Sequence, residues 1–374
     1  MKKTLFGFTV LSLLSGTTFA NWSGANSEPN KATIDGNTFY EISSPEELAW
    51  FAEQVNLGYT SINAVLKKDI VFYKDSLTDE NKGSAHTWTP IAKNPENAFS
   101  GIFDGAGYKI QGVYLEDHDY SYINGDRLGF FGVISAKGIV KNVNFEKNYM
   151  SISYPDGTSP YTSKKISFGP LAAKNNGTIK DVSIGGTVKF EIPVIDKNPE
   201  ISYGSGVVGE NVGTMSNIVF SGSIISKSSS TNIGGITATN KGLLDSVFNK
   251  GTFILDSSFV HYVGGITYDN TANIRHSENY ADIITKNLFM SGGIASNSTD
   301  SLNVISHCRN YGNIESNNYN ESVYGGIAAY TMGSIYYSEN YGKIKVYLLS
   351  PTYGCSGLAC VTSGGKVGGI RITF

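Results

Sequence analysis

The chain has 374 residues, with 29 Lys and Arg against 32 Asp and Glu, a formal net charge of −3 and a pI near 6.0. That balance argues against a nucleic-acid partner, which needs a basic face. Only 16% of residues are charged, whereas Gly numbers 43 and Tyr 23, so surface polarity must come from Ser, Thr and Asn, as it often does in extracellular β proteins.

Residues 1-20 read as a secretory signal peptide: Lys2 and Lys3 form a basic start, Leu5 to Leu14 an apolar stretch, and Thr18-Phe19-Ala20 a small-residue cleavage site. The stretch is too short and wrongly flanked for a membrane span. No cysteine follows Ala20 directly, which argues against a lipoprotein anchor, and no later segment is apolar enough to cross a bilayer. The mature chain is therefore expected to be secreted or held at the cell surface.

Residues 21-40 are polar and rich in Gly and Asn, and are expected to form a flexible N-terminal lead. Residues 41-98 are read as an N-terminal cap. Ser44-Pro45-Glu46-Glu47 places Ser at the N-cap, Pro at the first helical position and Glu where it completes a capping box. Leu48, Phe51, Ala52 and Val55 then form one apolar face of a helix over 45-56, and Gly58 suits the position that ends it. A stack of repeats needs its open end covered, and this helix is assigned to that task. Ala64 to Phe72 reads as a strand entering the first coil.

Residues 99-374 carry nine copies of one pattern, an apolar anchor with partners at +3 and +5. The anchors are Ile110, Val140, Ile179, Met215, Leu244, Ile274, Ile305, Ile335 and Val367, at intervals of 29 to 39 residues. The +5 site is apolar at Leu115, Phe145, Ile184 and Phe220, then becomes Asn at 249, 279, 310 and 340. Steps such as Gly234-Gly235-Ile236 and turns such as Asn175-Asn176-Gly177 and Asn240-Lys241-Gly242 separate short β segments, about three to a repeat. Self-similarity at this period marks a solenoid. The expected fold is all-β, a parallel β-helix of about nine coils with one N-terminal capping helix. Residues at one repeat position stack about 4.8 Å apart in such a body, so Asn249, Asn279, Asn310 and Asn340 are expected to form a structural Asn ladder. His276 and His307 should share a column or neighbouring columns facing solvent, and Cys308 reads as a small buried hydrophobe. Cys355 and Cys360 could pair in an oxidising compartment.

Insertions fall between the coils, at 117-127, 150-168 and 192-205, and insertions in a repeat protein tend to emerge on one face. They supply the candidate ligand-binding residues Asp117, His118, Asp119, Tyr120, Tyr122, Asp126, Tyr154 and Tyr161. Tyr rings and carboxylates of this kind can hold a sugar, by stacking and by accepting hydroxyl protons. The oxygen ligands of Asp117, Asp119, Asn124 and Asp126 would also suit Ca2+, although their spacing fits no calcium-loop pattern. A merely solvated loop is the plain alternative. No other metal or cofactor is expected: none of the five histidines has a ligand partner at zinc spacing, and no Gly-x-Ser-x-Gly, phosphate loop or dinucleotide fingerprint occurs.

The coils from Gly234-Gly235-Ile236 to Asn279-Tyr280, and from Gly325-Gly326-Ile327 to Asn340-Tyr341-Gly342, resemble the GLUG repeat. The run from Phe99 to Ile110 is similar to the segment that opens such arrays, and Ile42 to Ala52 resembles their lead-in helix. The resemblance covers about residues 40 to 374 and loses its Gly-Gly step around 168-220. GLUG repeats occur in secreted bacterial surface proteins and in the non-catalytic region of IgA-specific metallopeptidases, and no His-Glu-x-x-His of a peptidase domain is present here.

These readings point to a secreted or cell-surface, non-enzymatic, adhesin-like β-solenoid whose partners are an extracellular glycan or a surface protein. A polysaccharide-degrading enzyme is the alternative from another class, and a purely structural spacer a third. An enzyme needs carboxylates converging from adjacent coils. Acidic residues recur at one repeat site only as Glu278 and Glu339, with Arg309 between them. The last coil stops at Phe374 before its +9 position, so self-association through an open C-terminal edge, or a shortened chain, is a further expectation.

Overall fold

The computed structural model describes residues 21–117, 127–153, 167–191, 202–227, 231–256, 258, 261–316, 322–346, 359–361, 367–368 and 371–372. They form a parallel β-solenoid. Successive coils add strands, commonly two each, to a first sheet that carries the anchors, and one each to a second sheet running from Phe131–Ile134 to Ala359–Val361 and to a third running from Ser167–Phe168 to Val323–Gly325. The third sheet has six strands, which marks about six complete turns rather than nine. Among the described residues the earliest repeats contribute no strand to the third sheet, and most of the last repeat lies outside the described residues, as does Cys355.

The spacing of the repeat has a backbone cause. Along a regular strand, residues 0 and +3 point to opposite faces. Here Asn142, Asp181, Asn217, Ser246, His276, His307 and Tyr337, each two residues after its anchor, take positive φ between 49° and 56°. That left-handed bend resets the alternation, so 0, +3 and +5 all face the interior. Each such non-glycine bend costs of order 1 kcal/mol, which the interior packing it permits must offset.

The first repeat sits in a different register from the one its apolar pattern suggests. Phe103, not Ile110, occupies the anchor column, pairing with Ala64 on one side and Val140 on the other. Ile110 pairs with Phe145, a +5 residue, and Leu115 with Met150. A turn at Ala106 and Gly107, both with positive φ, adds two residues between the columns. The triplet Ile110, Val113, Leu115 imitates the anchor pattern because all three side chains are buried for another reason.

Residues 21–40 do not form a free lead. Asn30–Ile34 and Asn37–Ile42 make an antiparallel hairpin around Asp35 and Gly36, whose φ values of 49° and 78° suit the two-residue turn that Asp-Gly favours. Its second strand pairs in parallel with Asn63–Leu66, and Trp22 packs edge-on against Phe72, 5.2 Å between ring centres. The helix Pro45–Asn56 follows. Ser44 Oγ accepts from the Glu47 amide, the Glu47 carboxylate accepts from the Ser43 amide, and Leu48, Phe51, Ala52 and Val55 are buried. Phe51 meets Phe99 and Phe103 of the first coil.

The interior changes character along the axis. Trp88, Phe103, Phe130, Phe131 and Phe145 fill its N-terminal part with rings. Further along, polar columns run through it. Asn249, Asn279, Asn310 and Asn340 donate amide to amide at 3.0, 2.8 and 2.8 Å. A second column, four residues before the anchors, joins Asn175, Asn211, Asn240 and Asn270 at 2.8, 2.9 and 2.8 Å and ends on Ser298. The Gly-Gly step serves the first column: a Cβ on Gly293 would stand 2.3 Å from Asn310 Cγ and 2.2 Å from the Gly326 carbonyl oxygen. Cys308 is fully buried, and burial pushes its thiol up to about 12.

His261 is also fully buried. Its Nε2 lies 2.7 Å from the Asp256 carbonyl oxygen, Nδ1 has no hydrogen-bond partner, and burial lowers its pKa below the ordinary 6.5. Above pH 6.5 both folded and unfolded chains hold this ring neutral. As pH falls below 6.5 the unfolded chain binds the proton first, and stability drops by up to about 1.4 kcal/mol per unit until the folded ring titrates too. Urea midpoints at pH 7.5 and 5.5 are expected to differ more in the native chain than in His261→Gln.

Candidate functional site

The outer face of the first sheet carries two aromatic columns on the coils anchored by Ile274, Ile305 and Ile335. The bend at +2 turns His276, His307 and Tyr337 outward; their rings lie 5.2 and 5.1 Å apart, and Tyr337 is 65% exposed. At +6, Tyr280, Tyr311 and Tyr341 stack at 4.8 and 5.0 Å with planes within 11°. Lys250 sits over the Tyr280 ring at the start of that column. The two histidines thus share a column on the solvent side. The tyrosine column was readable as an Asn-Tyr pair recurring at Tyr280 and Tyr341. Its ring faces are largely spent on each other, and the Tyr280 and Tyr341 hydroxyls donate to Glu278 and Glu339, so it offers a partner mainly ring edges.

Between the columns runs Glu278, Arg309, Glu339. Arg309 reaches Glu278 at 3.1 Å and Glu339 at 3.2 Å, while the Glu278 and Glu339 carboxylates accept from Tyr280 and Tyr341. Alternating sign is what a column spaced near 5 Å requires, since like charges directly opposite destabilise a sheet. Arg309→Glu would place three carboxylates in line. We expect it to cost about 1–2 kcal/mol in low salt and less at high salt, because position 309 is half exposed and its interactions are screened. Urea titrations at two ionic strengths measure this.

A second polar assembly lies on the strands that end at Asp117, Ser153 and Glu191. Tyr149 Oη and Lys189 Nζ both donate to the Asp79 carboxylate at 2.7 Å; Lys189 also meets Glu191 at 2.8 Å, and Lys82 meets Glu116 at 2.9 Å. The hydrogen bonds from Lys189 and Tyr149 hold Asp79 below the usual carboxylate range. Burial pushes the Tyr114 and Tyr149 phenols above their ordinary value. This network ties the 73–85 segment to three successive coils and was not apparent from sequence, since its members lie up to 110 residues apart. Each charge has an opposite partner, so the assembly reads as a fastening.

Of the residues proposed from sequence for ligand binding, Asp117 is 1% exposed and in register with Ile152, so it faces the interior rather than solvent. Its position two residues after the inward Leu115 accounts for this. His118, Asp119, Tyr120, Tyr122, Asp126, Tyr154 and Tyr161 lie outside the described residues. Among the described residues no group of three or more His, Cys, Asp or Glu is placed to hold a metal ion, and no helix is long and apolar enough to cross a membrane.

No family model matches the chain. A 97-residue stretch is 33% identical to a protein described as a putative Gly-rich membrane protein of Evansella cellulosilytica, covering 26% of this chain and 10% of that protein. The chain therefore spans about a tenth of the length of that relative. A crystal structure described as that of a putative immunoglobulin A1 protease from Bacteroides ovatus superimposes with a TM-score of 0.50 over 91% of this chain and 85% of that one, at 15% identity. At that identity the likeness is one of fold: the chain is a β-solenoid similar in course to that protein.

Proposed function

We propose that the protein is an exported, GLUG-type surface solenoid that binds an extracellular glycan or surface protein through its insertions and catalyses no reaction. One observation carries the reading. Described strands end at Asp117, Ser153, Glu191 and Ser226, on successive coils and at the end of a single strand column. In the sequence, three of these strand ends are followed by the segments that hold the tyrosines and carboxylates able to engage a sugar. The stack sets these strand ends side by side, and the charged network joins residues of three of those strands to the 73–85 segment. Binding is expected to survive EDTA, because the acidic residues fit no calcium loop.

Glycan-array and cell-binding assays on the full chain and on deletions of 118–126 and 154–166 test this. A discrete glycan signal, lost in either deletion, is the expected result. Binding indifferent to both deletions would sink the assignment to the insertions. Release of reducing ends or unsaturated products from polysaccharides would replace the reading with an enzymatic one.

A further inference from the structure

A cleft of about 290 Å3 opens between the flank of the helix, the segment preceding the hairpin and residues 88–93 of the first coil. It shares no residue with the insertions. Its size is at the lower end of small-molecule pockets, which run from about 300 Å3 upward, and suits a ligand of roughly a dozen heavy atoms.

Trp22 and Trp88, two of the three tryptophans of the chain, line it from behind: Trp22 is 8% exposed, and Trp88 is 1% exposed with its ring face on Phe130. Ala49 and Ala52, three residues apart on the helix, form part of its wall, and their small side chains leave the space open. The rim is polar. Asn26 Nδ2 donates to Glu53 Oε2 at 2.7 Å, and both side chains are exposed. That bond leaves Glu53 Oε1 and Asn26 Oδ1 without a hydrogen bond among the described residues, and the exposed Thr89 hydroxyl has none either. Asn56 differs: its amide donates to the Pro90 carbonyl and accepts from the Lys93 amide, so it fixes the wall and is spent.

Apolar carbon from Trp22, Ala49 and Ala52 beside an unspent carboxylate oxygen, amide oxygen and hydroxyl is an arrangement that can receive a pyranose. The C–H face of the ring would lie against that carbon, and the ring hydroxyls would donate to the oxygens. We propose that this cleft is a monosaccharide-binding site, separate from the insertions, that takes a single neutral pyranose unit. Glu53 and Lys93 both line the cleft, so its charges are of both signs, which suits an uncharged ring.

The test uses the full chain with Trp50→Phe, which leaves Trp22 and Trp88 as the only fluorophores of their kind. Neutral hexoses and N-acetylhexosamines are titrated while tryptophan emission and saturation-transfer NMR are followed. At least one sugar is expected to give a saturable response, with Glu53→Gln weakening it about tenfold, equivalent to one charge-assisted hydrogen bond of about 1.4 kcal/mol. Ala49→Leu fills the space and is expected to abolish the response while melting stays unchanged. No saturable response to any sugar, or equal binding by the native chain, Glu53→Gln and Ala49→Leu, would overturn the proposal. Deletion of the insertions leaves this response intact, so the two sites stand or fall separately.

Discussion

Replacing Phe130 with alanine is expected to lower the stability of the N-terminal coils by about 4 kcal/mol. The side chain is 1% exposed and stacks on Trp88 at 5.0 Å with the planes 6° apart. Phe145 meets it edge-on at 4.9 Å, and Phe103 and Phe131 complete the enclosure. A cavity at this point cannot collapse, because the strands around it are held by ladder bonds to coils on both sides. The loss therefore combines the transfer term with the full cavity term. Each coil touches only its neighbours, so the damage stays local. Hydrogen exchange should quicken around 99–145 and remain as in the native chain around 274–340. A urea midpoint within about 1 kcal/mol of native would show that the ring cluster is not the core of this region.

Asn310→Leu is expected to cost about 3 kcal/mol even though leucine is nearly isosteric. Asn310 accepts from Asn279 at 2.8 Å and donates to Asn340 at 2.8 Å and to the Gly312 carbonyl at 2.9 Å. Leucine removes all three contacts and leaves the Asn340 and Gly312 oxygens buried without this donor, each at a desolvation cost of about 1–3 kcal/mol. The planar amide also fits beneath Gly293, whose added Cβ would lie 2.3 Å from Asn310 Cγ, whereas a tetrahedral branch at that atom presses on the Gly293 backbone. Gly293→Ala should consequently damage the same coil as Asn310→Leu. The double variant should be less harmful than the sum of its parts, since both disrupt one contact. Thermal melting of the three variants measures this, and strict additivity would refute the coupling of the Gly-Gly step to the amide column.

Periodicity made the solenoid legible, because burying one face of every coil forces like residues into like places. The helix was equally plain: Ser44, Pro45 and Glu47 state its start within four residues, and Leu48 to Val55 state its buried face. Where the reading slipped, a local pattern had two solutions. Ile110, Val113 and Leu115 copy the anchor spacing, and only the pairing of Phe103 with Val140 reveals the two-residue turn that displaces them. The second Asn column was hidden because an Asn four residues before an anchor, next to Gly, also reads as a turn signal. The hairpin at Asp35-Gly36 carried its signal openly but lay in a stretch whose composition resembled a linker.

The amino-acid sequence by itself determined the coil length, the inward columns and the covered first end, since these follow from short-range alternation and capping. Tertiary structure alone decided which coil faces which, that Asp117 turns inward while Glu116 meets Lys82, and that residues as distant as Asp79 and Lys189 meet. It also decided that Trp22, Ala49 and Thr89 enclose one cleft. The division has a physical reason. Side-chain parity is set by neighbours along the chain, whereas contact across coils depends on the accumulated length of every turn and insertion between them.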